Sequence, residues 1–432
     1  MDNSQANDAQ IVKKVAWRIV PLMGLCYFVN YLDRVNIGFA ALTMNQDLGL
    51  TATQFGWGAG LFFLAYFTFE IPSSLAMQRY GARNWIVRIM VTWGIISAAA
   101  AFAQGPMSFY VIRFLLGAAE AGFFPAAIFY VMYWFPKVYR VRITALFMTA
   151  IPLSGLIGAP LSAWLLSHDG IVGLRGWQWM FIVEGLPACL LGIAVFVFLP
   201  KSISDAKFLT EGEKQRLSQL MSLETQGGRH VASFWASIVD KRVLVLAIVQ
   251  MGFTVASYGI GIWLPQILKE HQLSINMIGL LSALPYLVAV IGMVWWGKIA
   301  RKRSSSLIDL VVACTVGGIG MFITAATSNL WFAIFGISVS LIGNMAARPM
   351  FWPVPTMFLT GGAAAGGIAM INSIGNLGGF LGPWFVGIAK DLTGSFTWGV
   401  AFMAAFMILS AVLSQVIAVM LKRDHRELTA TN

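Results

Sequence analysis

Charged residues are scarce in this chain, and so are histidine and cysteine. Only 11% of the 432 residues are charged and 58% are hydrophobic, whereas about a quarter of the residues in ordinary soluble domains are charged. A soluble globular fold is therefore not expected. The three cysteines stand singly in apolar stretches, which excludes a disulfide framework and a cysteine metal cluster. The four histidines fall between apolar stretches, which argues against a histidine proton relay.

Long apolar stretches dominate the rest of the sequence. Most of them reach the roughly 20 residues that a membrane-spanning helix needs. They predict an all-α polytopic membrane protein with twelve spans, near residues 16–38, 55–77, 85–104, 107–132, 142–166, 178–199, 243–268, 277–299, 306–326, 330–357, 364–389 and 396–421.

The net charge of +11 reflects where the cations lie. With twelve spans, 23 of the 29 lysines and arginines fall on the side of the termini, and Arg175, Lys269 and Lys390 fall on the opposite side. Because cytoplasmic loops collect cations, both termini are predicted to be cytoplasmic, and no nucleic-acid partner is needed to explain the charge. Three arginines remain inside predicted spans: Arg34, Arg113 and Arg348.

A long hydrophilic segment divides the chain into two halves. We predict an N-terminal six-helix bundle over 1–200, a cytoplasmic linker over 201–242 and a C-terminal six-helix bundle over 243–432. In the linker, Thr210 and Glu213 form a capping box before Leu217, Leu220 and Leu223, which predicts a short amphipathic helix. We interpret it as a clamp between the halves, and a partner site is the alternative.

The two halves resemble a repeat. The glycine-rich run Gly155–Pro160 has a counterpart in Gly379–Pro383, and the basic loop 79–83 has one in 298–303, both offset by roughly 220 residues. Transporters built from repeated halves bind their substrates between the halves, near the bilayer midplane.

Four segments resemble the major facilitator superfamily and, within it, the anion:cation symporter family of organic-acid permeases. These segments are Asn30–Gly38, Arg113–Gly122, Phe351–Pro353 and Asn372–Gly379. The resemblance implies a monomer in the bacterial cytoplasmic (inner) membrane that imports a small organic carboxylate anion with protons by alternating access. In the loop motif of the superfamily, Ser74 and Gln78 replace a glycine and an acid, so the latch usually attributed to that acid is not expected here.

Charged side chains inside the spans are the main candidates for function, since each costs about 2.5–3.5 kcal/mol at a helix centre. Arg113 and Glu120 are two turns apart on one face of span four, and Asp33 and Arg34 are adjacent in span one. A charge network between these spans follows. Similar permeases imply that Asp33 and Glu120 carry protons, Arg113 pairs with whichever is ionised, and Arg34 binds the substrate carboxylate. A static cluster that holds the two helices together is the alternative.

The resemblance also assigns uncharged residues to the substrate cavity. It places Tyr31, Tyr66, Trp352 and Asn372 there, and Asn376 lies one turn beyond Asn372. Arg348 is either a second anion contact or a cap for helix carbonyls freed by the neighbouring prolines. Glu70 is interpreted as a partner of loop arginines, and Glu184 and Asp309 are interpreted as loop or helix-end partners.

No P-loop and no cluster of sodium ligands is evident in the sequence. We therefore expect no cofactor and no metal, with the proton as coupling ion and the organic acid and the bilayer as the other partners. A uniporter or exporter of the same fold is the alternative, followed by a membrane sensor. An enzyme is not expected, because no nucleophile or cofactor motif is evident.

Overall fold

The computed structural model describes residues 3–225, 239–300, 306–359 and 361–430. The apolar stretches of the first half form helices because only a helix satisfies its own backbone hydrogen bonds in lipid. These helices are α1 (Asn3–Asp47), α2 (Ala52–Tyr80), α3 (Ala82–Ala99), α4 (Pro106–Glu120), α5 (Phe123–Trp134), α6 (Lys137–Met148), α7 (Ala150–Leu166) and α8 (Gly176–Phe198).

One helix of the linker and the helices of the second half follow. They are α9 (Glu211–Thr225), α10 (Lys241–Lys269), α11 (Ile275–Ala300), α12 (Ser306–Ala325), α13 (Leu330–Phe351), α14 (Gly361–Asn376), α15 (Gly378–Thr393) and α16 (Thr397–Ala430). The predicted basic loop residues Arg301, Lys302 and Arg303 lie outside the described residues.

The helices account for the twelve predicted spans. Within the described residues, eleven helical segments are long and apolar enough to cross a membrane. The consecutive helices α14 and α15 form the remaining span, near 364–389. The predicted fold class is confirmed: twelve spans in two six-helix halves. Both termini therefore lie on one side of the bundle, called here the terminal side; the other is the far side.

Span four is interrupted, although the sequence predicted one continuous helix over 107–132. Gly122 has φ 87°, a left-handed conformation that ends α4 just after Glu120. Two carbonyl groups freed at the break accept hydrogen bonds from neighbouring helices. Ser73 Oγ donates to the Ala121 carbonyl at 2.6 Å, and Arg88 Nη1 donates to the Ala119 carbonyl at 3.3 Å. These bonds satisfy backbone groups that would otherwise be unpaired in the membrane.

Equivalent glycines bring the halves together at two equivalent contacts. A Cβ on Gly56 of α2 would collide with the carbonyl of Pro383 in α15. A Cβ on Gly279 of α11 would collide with Ala163 and approach the carbonyl of Ala159 in α7. Small residues allow membrane helices to approach this closely. The pairs α2 with α15 and α11 with α7 are the two contacts expected if the halves are repeats.

Polar contacts join the two halves on the far side. The Asp391 carboxylate, at the end of α15, accepts hydrogen bonds from the backbone N–H of Ala52 at 3.1 Å and of Thr53 at 2.7 Å, at the start of α2. Lys269 donates to the carbonyl of Leu42. An anion at a helix N-terminus is stabilised by free N–H groups and by the helix dipole. The far side is therefore closed in this structure.

Helix α9 binds the first turns of α1 on the terminal side. The predicted capping box is present, with hydrogen bonds in both directions between Thr210 and Glu213. Arg216 pairs with Asp8 at 2.7 Å, and Lys14 pairs with Glu213 at 2.9 Å. The backbone N–H of Thr210 and the Lys14 ammonium hold the pKa of Glu213 below its ordinary value.

The apolar face of α9 is only partly described. Leu217 is buried and Leu220 is half-buried. The side chain of Leu223 and residues 226–238 of the predicted linker lie outside the described residues.

Candidate functional site

The centre of the site is an ion pair between span one and span four. The guanidinium of Arg34 pairs with the Glu120 carboxylate, and both side chains are buried. Arg34 Nη1 also donates a 2.7 Å hydrogen bond to the hydroxyl of Tyr258 in α10. Because Tyr258 belongs to the second half, Arg34 joins an acid of its own half to the opposite half.

Aromatic rings surround the Arg34 guanidinium. Its central carbon lies 5.7 Å from the ring centre of Tyr31, 5.6 Å from that of Phe62 and 5.1 Å from that of Tyr66. Cations are stabilised over aromatic faces, more so where water is excluded. Two of the predicted cavity residues, Tyr31 and Tyr66, therefore contact the predicted substrate arginine.

Glu120 is the last residue of α4, so its carboxylate lies at the negative end of the helix dipole. The negative end of the helix dipole points toward a C-terminal side chain, so the dipole disfavours an ionised carboxylate there. Glu120 Oε2 is buried and has no hydrogen-bond partner among the described residues. The main compensation for its charge is thus Arg34.

Asp33 points away from Arg34, into the first half. Its carboxylate accepts hydrogen bonds from Trp93 Nε1 at 2.7 Å, from Ser97 Oγ, and from Asn36 Nδ2 at 3.3 Å. Asp33 is only 2% exposed. Three neutral donors therefore satisfy a carboxylate that forms no ion pair within the described residues.

Arg113 does not pair with Glu120 in this structure, although the two residues share a face of span four. It lines a small buried cavity together with Asp33, and its guanidinium carbon lies 5.0 Å from the ring centre of Phe62. In the described part of the chain, it forms an ion pair with neither acid. A charge network between spans one and four exists, and in this structure Glu120 pairs with Arg34.

Glu70 was interpreted as a partner of loop arginines, and this interpretation is wrong. Its carboxylate is buried and accepts hydrogen bonds from Asn372 Nδ2 at 2.7 Å and from Ser373 Oγ at 3.2 Å. Glu70 lies one turn beyond Tyr66 in α2, whereas both donors lie in α14. A buried acid of the first half thus binds the second half next to the Arg34 cluster.

Glu184 is also not a loop partner. It is buried in α8 and accepts a 2.7 Å hydrogen bond from Ser162 Oγ of α7, within the first half. Sequence reasoning also missed Tyr258, although a tyrosine in an otherwise apolar span was a signal that could have identified it.

Arg348 lies in α13 and is half-buried. Its Nε and Nη2 atoms are buried and have no hydrogen-bond partner among the described residues. These two atoms therefore do not cap the helix carbonyls freed by the neighbouring prolines. Trp352 packs edge-on against Phe351 at 5.3 Å, and Asn376 is half-buried at the end of α14. The structure gives no contact between these two residues and Arg34.

A groove of about 930 Å³ lies between α1 and the pair α6 and α7. Its wall on α1 includes Gly24 and Phe28, which share a helix face with Tyr31 and Val35 by their spacing. Val35 lies against Gly261 of the second half, so this face of α1 points toward the space between the halves. The residues that line the groove all belong to the first half, and on α1 they end at Phe28, one turn before Tyr31. Two exposed cations also line it, Lys13 and Arg142.

Comparison with known proteins identifies the family. The family model described as Major Facilitator Superfamily matches residues 23–383. A protein of Agrobacterium vitis named "Putative tartrate transporter" is 48% identical over 413 residues, which cover 95% of this chain and 92% of that protein. The "Quinolone resistance transporter" of Acinetobacter baumannii is 37% identical, covering 96% and 97%. The "Inner membrane transport protein RhmT" of Escherichia coli is 36% identical, covering 93% and 94%.

Solved structures share the fold. The xylose transporter XylE from Escherichia coli, in an inward open conformation, superposes with a TM-score of 0.74 at 13% identity, covering 93% of this chain and 96% of that one. A bacterial homologue of the human lysosomal transporter Spinster gives a TM-score of 0.69 at 15% identity, covering 94% and 96%. The chain is therefore a membrane transporter and not an enzyme, and it belongs to the major facilitator superfamily.

Proposed function

We propose that this protein is a proton-coupled symporter that imports a small organic carboxylate by alternating access. The observation that carries the proposal is the buried pair of Arg34 and Glu120 at the contact between the halves. A guanidinium binds a substrate carboxylate in the same way that it binds the side chain of glutamate. Proton and substrate can therefore be coupled through competition for one arginine.

The coupling follows from charge balance. While Glu120 is ionised, it occupies Arg34, and a substrate anion has no free guanidinium at this position. Protonation of Glu120 removes its negative charge and releases Arg34, which then binds the substrate carboxylate. A buried cation without a partner is strongly disfavoured, so the fully loaded state holds both the proton and the anion.

Asp33 and Arg113 form the second part of the proposed mechanism. Arg113 faces Asp33 across a small buried cavity, so an approach of α4 to α1 would bring the guanidinium to the carboxylate. An arginine in contact with the Asp33 carboxylate stabilises its ionised form, and withdrawal of the arginine favours protonation of Asp33. We assign Asp33 as a second proton carrier and Arg113 as its switching partner.

Arg348 supports a second anion contact from the opposite half. Its unpartnered buried nitrogens suit a carboxylate, which can accept two hydrogen bonds from one guanidinium. A dicarboxylate could then bind Arg34 with one end and Arg348 with the other. The name of the Agrobacterium vitis relative points to tartrate, which has this chemistry. Tyr31, Tyr66, Trp352, Asn372 and Asn376 are proposed to complete the substrate cavity.

The proposed location is the bacterial cytoplasmic membrane, with the terminal side in the cytoplasm. The excess of lysine and arginine in the loops of the terminal side supports this orientation. The contacts of Asp391 and Lys269 join the halves on the far side, which supports a state that is closed toward the cell exterior.

Uptake into proteoliposomes tests the proposal. We expect radiolabelled tartrate to accumulate when the lumen is more alkaline than the outside, and the accumulation to disappear when an ionophore collapses the pH gradient. A gradient of one pH unit supplies about 1.4 kcal/mol per proton, or about tenfold accumulation for each coupled proton. Equal uptake with and without the pH gradient would contradict proton symport.

A substitution at the far side tests alternating access. In Asp391→Asn, the negative charge at the N-terminus of α2 is lost, which should weaken far-side closure by about 0.5–2 kcal/mol. We expect the far-side-open population to rise about twofold to thirtyfold. It can be measured by electron–electron distance spectroscopy between spin labels at the exposed Val172 and Leu392, after replacement of the native cysteines.

Asp169→Asn is the matched control for this measurement. Asp169 also accepts from a helix N-terminus, the backbone N–H of Gly176 at 2.8 Å, but within one half. Its replacement should leave the distance distribution unchanged. Equal effects of both substitutions would contradict a role of Asp391 in closure between the halves.

Export is the second candidate function. The relative of Acinetobacter baumannii is named for quinolone resistance, and export lowers the concentration of a drug in the cell. An exporter would use the same cavity in the opposite direction. Resistance to a fluoroquinolone on expression, together with proton-dependent uptake of the drug into everted membrane vesicles, would favour export over tartrate import.

A further inference from the structure

The amide of Asn372 is held in one orientation by an acid of the opposite half. Asn372 Nδ2 donates to Glu70 Oε1 at 2.7 Å, and Ser373 Oγ donates to Glu70 Oε2 at 3.2 Å. Both carboxylate oxygens therefore accept from neutral donors, and no cation within the described residues forms an ion pair with Glu70.

This contact determines which hydrogen-bonding group Asn372 presents elsewhere. An asparagine has one acceptor oxygen and one donor NH2 group, and an ionised carboxylate only accepts. The NH2 group must therefore point to Glu70. The Oδ1 atom is left without a hydrogen-bond partner among the described residues, on a side chain that is only half-buried. The Oδ1 atom of Asn372 is thus available as an acceptor for a neighbouring group.

The location of the pair connects this acceptor to the proposed substrate site. Glu70 is one turn from Tyr66, whose ring centre lies 5.1 Å from the Arg34 guanidinium. Glu70 and Asn372 also span the contact between the halves, where the substrate is proposed to bind. A substrate carboxylate on Arg34 would therefore have the Asn372 oxygen as a neighbour.

We propose that Glu70 is a positioning residue that makes the protein selective for hydroxy acids. A substrate hydroxyl donates to Asn372 Oδ1, whereas a methylene group makes no such bond and a second carboxylate oxygen is repelled by it. The inference rests on the proposed function and specifies its substrate class as a carboxylate with a hydroxyl group. Glu70 itself need not touch the substrate.

The substitution Glu70→Gln provides the test, because it keeps the shape of the side chain but adds a donor. The introduced amide can donate to Asn372 Oδ1, so the Asn372 amide can turn and present its NH2 group instead. The probes are tartrate, malate and succinate, which have the same carbon chain with two, one and no hydroxyl groups. Dissociation constants are measured by isothermal titration calorimetry on the purified full chain in detergent.

We expect the wild type to bind tartrate at least about tenfold more tightly than succinate, the effect of roughly one hydrogen bond to a buried group. In Glu70→Gln, that ratio should fall to within about threefold, while succinate affinity is retained or increased. Glu70→Asp keeps a group that only accepts, and should preserve the preference for tartrate even where overall affinity falls.

Glu184→Gln is the control for loss of a buried acid outside the site, and it should leave the ratio unchanged. The inference is overturned by a wild type that does not distinguish tartrate from succinate, or by a Glu70→Gln protein in which the affinities for all three acids fall equally. Binding of none of the three acids would overturn it together with the proposed substrate. Equal tartrate uptake with and without a pH gradient would contradict proton coupling alone. It would not contradict the role of Glu70 in selectivity.

Discussion

Replacing Glu120 by glutamine is expected to abolish proton-driven accumulation of the substrate while exchange of substrate across the membrane continues. Glutamine is neutral at every pH, so it cannot carry a proton and cannot occupy Arg34 as a carboxylate does. The arginine would then be permanently available to the substrate anion. The part of the pH dependence of anion affinity that comes from Glu120 should be lost, and uptake should stop when the internal and external concentrations are equal.

The measurement is uptake into proteoliposomes with and without a pH gradient, followed by counterflow with preloaded unlabelled substrate. Glu184→Gln is the matched control, because Glu184 is also a buried acid of the first half but bonds to Ser162 and not to Arg34. This control should accumulate substrate like the wild type. Gradient-dependent accumulation by Glu120→Gln would refute the role of Glu120 in coupling.

Replacing Arg34 by lysine is expected to lower substrate affinity by roughly tenfold to 150-fold. The guanidinium binds Glu120 and Tyr258 at once and lies against three aromatic rings. An ammonium group is a compact charge that cannot provide a planar, two-pronged contact to a carboxylate. One lost hydrogen bond to a charged group corresponds to about 1.5–3 kcal/mol, which gives this magnitude.

Affinity can be measured by titration calorimetry with the acid that binds best among tartrate, malate and succinate. Arg242→Lys supplies the control, since Arg242 also forms an arginine–carboxylate pair, with Asp240 at 2.7 Å, at the start of α10 and away from the site. Its affinity for substrate should equal that of the wild type. An unchanged substrate affinity in Arg34→Lys would contradict the assignment of Arg34 to substrate binding.

Local patterns in the sequence predicted the helices well. The spans follow from the length of apolar stretches, and the linker helix follows from the capping box of Thr210 and Glu213, whose hydrogen bonds are present. The break after Glu120 was not predicted. The motif Ala121–Gly122 was visible, but a glycine in a membrane helix serves packing as often as it ends a helix. The left-handed conformation of Gly122 depends on its surroundings.

Partners of the buried charges could not be predicted from helix faces. Arg113 and Glu120 share a face of span four, yet Glu120 pairs with Arg34, 86 residues away in sequence. Glu70 pairs with Asn372, 302 residues away. A helical pattern shows which way a side chain points relative to its own axis, but not which other helix lies opposite.

The amino-acid sequence was sufficient to predict a twelve-span membrane protein of two similar halves, because apolar length and repeated motifs are local properties of the chain. It also identified the charged residues inside the spans, which are costly to place in a membrane and therefore candidates for function. The three-dimensional fold was needed to show that Arg34 binds Glu120 and Tyr258, that Glu70 binds the opposite half, and that polar contacts close the far side. Those pairings depend on distances between helices that are remote in sequence, and buried charges are stabilised by the nearest available partner.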